Sequence, residues 1–469
     1  MSEWLPDLRP HSFPLYLAIA DALRDDVQSG RLRPGTRLPP HRELARALDV
    51  HVSTVTRAYT EAAKRGLIAG EVGRGSFVRA PLEAADFESR IQSHREARVD
   101  LAWNLPAGGP NDEEIRAGLG AIAADGDFGA LFQDLHDAGW WPHREAGAAW
   151  LRRRGLEEAR ADRVLVTGGA QHGMAVALAT AAQPGDLVLA EGLTYAGMKS
   201  LANTFNVRLR GVAMDEEGTD PDAFRALCRS GSPKAFYVQP NLHNPTGLVL
   251  SEERRRALVE VAREYDVTLI EDDAHGFLLE DPPPTLASLA PERTYLVATL
   301  SKALSAGMRV GFVLPPDRGE DAFEKVVANA VSITWAAAPL VLELARRWIE
   351  DGTAERSVHR KREICRRRLA IGKERLAPAV SLSHASSCHM WLELPDGWRS
   401  DLFVAAARAR GVAVTPPELF RVQPFGVAQA VRVCLAAPPT DEHLDEGLQV
   451  LSELITAGPS SAQDALEAG

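Results

Sequence analysis

Side chains that could carry out chemistry follow apolar runs at four places in the sequence. A lysine, two hydroxyls and an arginine follow one run, in Thr299-Leu300-Ser301-Lys302 and at Arg309. Carboxylates follow another run, in Glu271-Asp272-Asp273, where burial without a partner is costly. A glycine-rich turn from Thr167 to Gln171 leads into a helical pattern, so its backbone N–H groups could hold a phosphate. The fourth place is the loop at 241–247, which contains Asn244.

The apolar runs alternate with helical patterns from Asp100 onward. The runs lie at 164–166, 187–189, 235–238, 267–270, 295–297 and 310–313, with helices between them such as 171–182 and 252–265. This alternation predicts a mostly parallel α/β sheet that is covered on both faces. Chemistry is usually located at the carboxyl ends of such strands, which makes the four segments the candidate site. After about Ser332, longer helices precede a smaller α+β portion.

A different pattern occupies the first 80 residues. Helical spacing at 15–23, 42–48 and 53–65 is followed by two short strand-like runs around a glycine-punctuated tip. Three helices and a hairpin predict a winged helix-turn-helix. The polar residues at the start of the third helix are Ser53, Thr54, Thr56 and Arg57, and they are the exposed candidates for contact with bases.

Composition limits the classes of protein that fit. No run approaches the eighteen apolar residues of a membrane span, and the N-terminus lacks a secretory pattern, so no membrane partner is expected. Four separated cysteines argue against a disulfide framework and a zinc site; no metal is assigned, and a cytoplasmic location fits. The net charge of −11 is an average, because residues 1–80 hold 12 Lys and Arg against 9 Asp and Glu. Residues 1–80 therefore carry a net charge of +3, and the remaining residues carry a net charge of −14.

The N-terminal pattern resembles the DNA-binding domain of the GntR family. The resemblance is carried, in order, by residues 38–45 (LPPHRELA), 55–59 (VTRAY), 65–68 (RGLI) and 73–78 (GRGSFV). It implies that double-stranded DNA is the partner and that the third helix enters the major groove. Arg42 would then meet phosphate, and Arg74 at the wing tip would reach phosphate or the minor groove.

Residues 100–455 resemble the fold-type I aminotransferases, which use pyridoxal 5′-phosphate (PLP). The resemblance implies that Lys302 forms the Schiff base and that Asp272 pairs with the ring nitrogen. It also implies that Asn244 bonds the ring 3′-oxygen and that Tyr195 stacks on the ring. Arg432 would bind the carboxylate of a substrate or effector. The phosphate would be held by the amides of Ala170 and Gln171 and by Thr299, Ser301 and Arg309.

One departure from that family lies just after Asp272. Family members place a tyrosine there that bonds the 3′-oxygen, whereas this chain has Ala274 and His275. His275 could partly substitute for the missing tyrosine. The loss counts against efficient turnover more than against cofactor binding.

The two resemblances together are typical of the MocR (GabR-like) subfamily of GntR regulators. The expected organisation is a winged helix-turn-helix at 10–80, a linker at 81–99 and an aminotransferase-like PLP domain at 100–458, with a large part to about 335 and a small part from 336. A flexible tail is expected at 459–469. The subfamily implies a bacterial, homodimeric transcription factor that uses PLP and often responds to a small amino compound.

Three hypotheses remain open at this point. The first is a PLP-responsive regulator whose effector changes the arrangement of the DNA readers. The second is a catalytically active aminotransferase that acts on an amino acid, with an incidental or localising N-terminal unit. The third is a DNA-binding protein whose second domain takes no cofactor.

Overall fold

The computed structural model describes residues 4–8, 14–28, 31–32, 36–64, 67–71, 75–78, 97–105, 108–132, 137–377, 383–422 and 429–467. The described residues divide into two compact units. The smaller unit contains the N-terminal helices and hairpin, and the larger unit contains most of the chain from residue 97 onward. Among the described helices, none combines the length and the apolar character that crossing a bilayer requires.

The smaller unit is the winged helix-turn-helix that the sequence predicts. Its elements are α1 (Leu15–Gln28), α2 (His41–Ala47), α3 (Val52–Lys64), β1 (Ile68–Glu71) and β2 (Gly75–Val78). The two strands pair antiparallel, with Ile68 opposite Val78. The helices form because apolar residues at helical spacing, such as Ile19, Leu23 and Val55, are fully buried in one shared core. Asp49, at a φ of 52°, makes the tight turn between α2 and α3.

The larger unit is built on a sheet whose described strands run in the order β4, β12, β11, β10, β9, β5, β6. Their bounds are β4 Leu165–Thr167, β5 Leu187–Glu191, β6 Arg208–Val212, β9 Ala235–Val238, β10 Thr268–Asp272, β11 Thr294–Thr299 and β12 Gly311–Leu314. Strands β5, β9, β10 and β11 pair parallel, whereas β12 runs antiparallel to both of its neighbours. The central strands are apolar and buried on both faces, as expected for a sheet between helical layers.

Helices cover the sheet and continue into the C-terminal part. They are α4 (Asp112–Ala123), α5 (Trp141–Arg152), α6 (Ala170–Ala181), α7 (Ala196–Thr204), α8 (Pro221–Gly231), α9 (Glu252–Glu264), α10 (Leu286–Leu289), α11 (Leu300–Ala303), α12 (Glu320–Ile333), α13 (Pro339–Glu350), α14 (Thr353–Arg375), α15 (Ser400–Ala409) and α16 (Asp441–Glu467). A small hairpin, β7 (Met214–Asp215) with β8 (Gly218–Thr219), adjoins β6 in sequence. The shift to longer helices after about Ser332 agrees with the sequence pattern.

The C-terminal part has a core of its own and includes the first strand of the larger unit. Strands β13 (His389–Glu393) and β15 (Ala430–Cys434) pair antiparallel, and β14 (Val412–Ala413) pairs parallel with β3 (Val99–Asp100). Val99 therefore lies in a strand, although the sequence pattern places it at the end of the linker. The same pairing puts the start of the expected large part, at residue 100, with the C-terminal elements. Residues 81–96 of the expected linker lie outside the described residues.

The segment expected to be a flexible tail is helical as far as Glu467. Helix α16 breaks at Gly458, which has a φ of 81°, and a second helical stretch starts at Pro459. Proline is tolerated in the first turn of a helix, where its missing N–H has no partner to lose. Ala462 of this stretch is buried, which gives it a packing contact that the small, polar sequence does not predict.

The aromatic pair on β9 and α8 provides a test of the sheet core. Phe236 and Phe224 are fully buried, with ring centroids 4.7 Å apart. Phe236→Ala should lower the free energy of unfolding by about 3–5 kcal/mol, because it removes apolar contact and leaves a cavity. Urea unfolding followed by tryptophan fluorescence measures the change. Leu119→Ala, at a side chain that is 41% exposed, is the control, and a similar loss for both would contradict the assignment.

Candidate functional site

Asp272 is the last residue of β10 and is held there by neighbours on β9 and beyond. Its Oδ2 accepts hydrogen bonds from the Tyr237 hydroxyl at 2.6 Å and from Gln239 Nε2 at 2.9 Å. Its Oδ1 accepts from the backbone N–H of Ala274 at 3.1 Å. Burial raises the pKa of Asp272 to about 6, and the Tyr237 hydrogen bond lowers it in part. The carboxylate is thus fixed in place at a site that favours a cationic partner.

Lys302 lies on α11, one strand further along the sheet. Its Nζ donates to the backbone oxygen of Asn104. Burial lowers the pKa of Lys302 to about 8, and Arg432 and Arg309 also act to lower it. A much larger fraction of this amine is therefore neutral near pH 7 than for an ordinary lysine, and a neutral amine is the form that attacks a carbonyl.

Asn104 also fixes the residue that replaces the expected tyrosine. Its Nδ2 lies 3.2 Å from Nε2 of His275, and since an amide nitrogen only donates, Nε2 is the acceptor. The remaining hydrogen of His275 is then on Nδ1, which is buried and has no hydrogen-bond partner among the described residues. Burial, together with His389 and Lys302, lowers the pKa of His275 well below its usual value, so the ring is neutral.

The glycine-rich turn after β4 meets the loop after α11. Gly169 precedes α6 with a φ of 95°, a conformation that L side chains rarely adopt. A Cβ added at Gly169 would lie 3.0 Å from the Arg309 guanidinium, and one at Gly311 would lie 2.8 Å from the Gly169 carbonyl carbon. Absence of side chains at these two glycines lets Arg309 approach the N-terminus of α6, where Ala170 and Gln171 begin the helix.

Two hydroxyls complete this side of the site. Thr299 ends β11 and caps α11, accepting from the N–H of Ser301 at 3.1 Å and donating to the oxygen of Val310 at 3.0 Å. Ser301 is buried, and its Oγ has no hydrogen-bond partner among the described residues.

Tyr195 is half-buried and precedes α7. A Cβ at Gly197 would come within 2.2 Å of its ring, so this glycine allows the ring to lie close to the backbone. The Gln171 side chain donates to the Gly197 oxygen at 3.2 Å and fixes the same turn. Burial and the charge of Asp272 raise the pKa of the Tyr195 hydroxyl.

Arg432, on β15, is buried and faces the loop that contains Asn244. Its Nη1 donates to Asn244 Oδ1 at 2.7 Å, and its Nη2 donates to the backbone oxygen of Ala102 and to Thr415 Oγ1. Its Nε has no partner among the described residues, and its guanidinium carbon lies 4.9 Å from the centre of the Phe420 ring. Arg432 and Asn244, to which the sequence assigns different roles, are therefore in direct contact.

Sequence reasoning misses three residues that hold this arrangement together. Tyr237 and Gln239 bond Asp272, and Asn104 contacts both Lys302 and His275. Tyr237 was detectable from the sequence, because its hydroxyl is a polar group inside the apolar run at 235–238. The pairing of β9 with β10 then brings that hydroxyl to Asp272. Nothing in the sequence near Asn104 points to a residue 198 positions away.

The residues expected to contact DNA lie on the smaller unit. Ser53, Thr56 and Arg57 are exposed on the first turns of α3, and Thr54 is partly exposed. Arg57 lies over the Tyr16 ring, with its guanidinium carbon 4.3 Å from the ring centre. Arg42 is exposed on α2. Arg74 lies outside the described residues.

Comparison with known proteins agrees with both units. Residues 15–78 match the family of bacterial regulatory proteins called gntR, and residues 104–451 match aminotransferase class I and II. The HTH-type transcriptional regulator YdeF of Bacillus subtilis (strain 168) is 31% identical over 455 residues, 97% of each chain. The chain belongs to the MocR subfamily of GntR regulators. This MocR protein is also 25% identical over 477 residues to the HTH-type transcriptional regulator YjiR of Escherichia coli, covering 94% of this chain and 98% of that one.

Solved structures agree on the fold of the MocR protein's larger unit. Kynurenine aminotransferase from Pyrococcus horikoshii superposes with a TM-score of 0.73 at 24% identity, covering 80% of this chain and 95% of that one. The α-aminoadipate aminotransferase LysN from Thermus thermophilus gives 0.71 at 24% identity, with the same coverage. The predicted fusion of a winged helix-turn-helix with a fold-type I aminotransferase domain is confirmed.

The lowered pKa of Lys302 predicts its reactivity. Acetylation of the protein at increasing pH should modify Lys302 along a curve that flattens near pH 8, because only the neutral amine reacts. Modification of exposed lysines should still rise at that pH. Mass spectrometry of the two peptides compares Lys302 with the exposed Lys325. Parallel curves for the two lysines would contradict the assignment.

Proposed function

We propose that this protein is a transcription regulator that binds operator DNA through α3, binds PLP at Lys302, and responds to a small amino compound. The observation that carries the proposal is the convergence of Lys302, Asp272 and Arg432 around buried polar atoms that have no partner within the described residues. Such atoms are rare in folded proteins and call for a ligand that satisfies them. They include Ser301 Oγ, Gln171 Oε1, Thr194 Oγ1, His275 Nδ1 and Arg432 Nε.

The residues present suit PLP at each of its polar groups. Arg309, Ser301 and the first N–H groups of α6 would hold the phosphate, because a helix N-terminus and a guanidinium both attract an anion. Asp272 would hold a proton on the ring nitrogen, and this cation would offset the cost of the buried carboxylate. Tyr195 would stack on the ring, and Asn244 and His275 would donate to the 3′-oxygen. When bound, PLP supplies an aldehyde that condenses with amines and a ring that withdraws electrons.

The chain's own groups then define how an effector is held. Lys302 would hold the cofactor, and its amine, when not bonded to the cofactor, would lie beside the Asn104 oxygen. Arg432 binds a carboxylate of the effector with its unpartnered Nε. Effector binding would shift the larger unit between two arrangements. The free energy that couples effector binding to this shift would also change the affinity for DNA.

We also propose that the protein acts as a homodimer. Large aromatic side chains on the larger unit remain exposed, including Phe132 at 64%, Trp141 at 50% and Trp335 at 62%. Exposed apolar residues of this size support an interface with a second copy.

A catalytically active aminotransferase is the second candidate function. It is favoured by the retention of Lys302, Asp272, Asn244 and Arg432 in one site. His275 in place of a tyrosine weighs against it.

Arg57 tests the DNA-binding half of the proposal. Arg57→Gln should weaken specific binding to the gene's own upstream region by about 10- to 100-fold, the usual cost of losing a good base contact. Footprinting at fixed salt measures the effect, and the absorbance of bound PLP should stay unchanged. Arg116→Gln, at an exposed arginine of α4, is the matched control. Equal DNA binding by the wild type, Arg57→Gln and Arg116→Gln would contradict the role of α3 as the helix that contacts the bases.

Replacement of Lys302 tests the proposal that the protein binds PLP at this residue. Wild-type protein incubated with PLP and then reduced with borohydride should carry the cofactor on the Lys302 peptide, and Lys302→Ala should not. Lys325→Ala is the control for non-specific attachment.

The same loaded protein separates the two candidate functions. An amino compound that changes the PLP absorbance without consuming a keto acid supports a sensor. Steady turnover of an amino donor with a keto acid, lost in Lys302→Ala, would instead support the aminotransferase. Absence of any cofactor on the wild type would overturn both.

A further inference from the structure

The exposed face of α3 carries four side chains of different chemistry. Val52 and Ser53 lie in its first turn, and Thr56 and Arg57 follow them at a spacing of four residues, so all four share one side of the helix. Each of these residues is exposed. Arg57 can only donate hydrogen bonds, whereas a hydroxyl can both donate and accept. The groups that this face can recognise therefore depend on where the two hydroxyl hydrogens are already engaged.

The hydrogen of the Ser53 hydroxyl is engaged by His51. The backbone N–H of Ser53 donates to His51 Nδ1 at 3.3 Å. Because an N–H can only donate, this ring nitrogen is an acceptor and carries no hydrogen. Ser53 Oγ lies 2.7 Å from the same nitrogen, so the hydroxyl is the donor of that bond. His51 thus caps the N-terminus of α3 and leaves Ser53 Oγ with lone pairs to offer a ligand.

The hydrogen of the Thr56 hydroxyl is engaged by the backbone. Thr56 Oγ1 donates to the oxygen of Val52, one turn earlier, at 3.0 Å. His41 Nδ1 lies 3.2 Å from the same hydroxyl and is the donor there, since the hydroxyl hydrogen is already used. The Tyr59 ring packs at right angles to the His41 ring, with centroids 4.8 Å apart. Among the described residues, these bonds leave Thr56 with a lone pair alone to offer a ligand.

Two hydroxyls that can only accept match one kind of group in the major groove of DNA. The amino groups of adenine (N6) and cytosine (N4) are the hydrogen-bond donors there, whereas guanine and thymine present acceptors. An acceptor that faces another acceptor makes no hydrogen bond, so each hydroxyl would disfavour guanine and thymine. The neighbouring Val52 suits the methyl group of thymine, and Arg57 suits guanine.

We propose that Ser53 and Thr56 each read adenine or cytosine in the operator, because both hydroxyls are fixed as hydrogen-bond acceptors. His51 and His41 are then positioning residues, since they act on the bases through those hydroxyls. The inference rests on the proposed function, in which α3 contacts the operator. It adds the chemical class of base that two positions of the operator must carry.

The experiment uses the full-length protein and duplexes selected from a pool with a randomised centre. The wild type should enrich adenine or cytosine at two positions. Replacing that adenine by purine, or that cytosine by 2-pyrimidinone, removes only the amino group and should weaken binding about fivefold, the usual value of one hydrogen bond. Thr56→Val should lose this penalty at one position, and Ser53→Ala should lose it at the other. Thr60→Val is the matched control, because Thr60 makes the same backbone bond one turn further along, to the Thr56 oxygen at 2.8 Å.

A second comparison tests the role of His51. His51→Ala removes the acceptor and frees the Ser53 hydroxyl to donate, so guanine and thymine should become acceptable at the position that Ser53 reads. His51→Asn has a side-chain oxygen that can cap the helix and accept from Ser53, so it should keep the preference for adenine and cytosine. A role of His51 in helix stability alone would instead weaken binding to all duplexes alike.

The outcomes separate this inference from the function on which it rests. Specific binding by the wild type that is insensitive to loss of the amino groups would overturn the inference and leave operator binding intact. An equal penalty in the wild type, Ser53→Ala and Thr56→Val would do the same, and an unchanged preference in His51→Ala would overturn the role of His51. If the wild type selects no sequence, both proposals fall. Thermal melting checks that the variants are folded, and Thr56→Ala replaces Thr56→Val if the latter is not.

Discussion

The hydrogen bonds that Tyr237 and Gln239 donate to Asp272 hold a carboxylate at the buried end of a central strand. A carboxylate in that position is costly by itself, and its raised pKa measures the cost. Burial is costly for its neighbours as well, because Lys302 is a buried amine and Arg432 a buried guanidinium. Parallel strands bring Asp272 and Lys302 to one edge of the large sheet, whereas Arg432 lies on β15 of the C-terminal part. The site is thus a set of mutually dependent polar groups on a rigid apolar support.

Glycines determine how closely the two sides of this edge approach. A side chain at Gly169 would meet the Arg309 guanidinium, and one at Gly311 would meet the backbone of Gly169. In the same way, a side chain at Gly197 would meet the Tyr195 ring. The close approach matters because a helix N-terminus attracts anions only over about one turn. Since Arg309 itself has a φ of 49°, the loop holds this arginine in a conformation that non-glycine residues rarely adopt.

Local patterns predict the elements, and long-range contacts decide the details of the site. The helices of the winged helix-turn-helix and the apolar strands follow from periodicity, and the residues after those strands converge because parallel strands share an edge. A run that is apolar on both faces carries no information on direction, so the antiparallel orientation of β12 was not predictable. Asn104 and the pairing of Val99 with Val412 depend on contacts between residues far apart in the sequence. The helical stretch after Gly458 depends on burial of Ala462 in a sequence that reads as polar.

The short stretch from Val99 to Asn104 touches both the C-terminal elements and the reactive lysine. Asp100 Oδ1 accepts from the N–H of Ala102 at 2.8 Å, and the Ala102 oxygen accepts from Arg432. Two residues later, the Asn104 oxygen accepts from Lys302. This stretch is also where the chain arrives from the N-terminal unit. The Ala102 oxygen also accepts from Thr415 Oγ1, so a change at Arg432 leaves that carbonyl bonded, whereas a change at Lys302 frees the Asn104 oxygen.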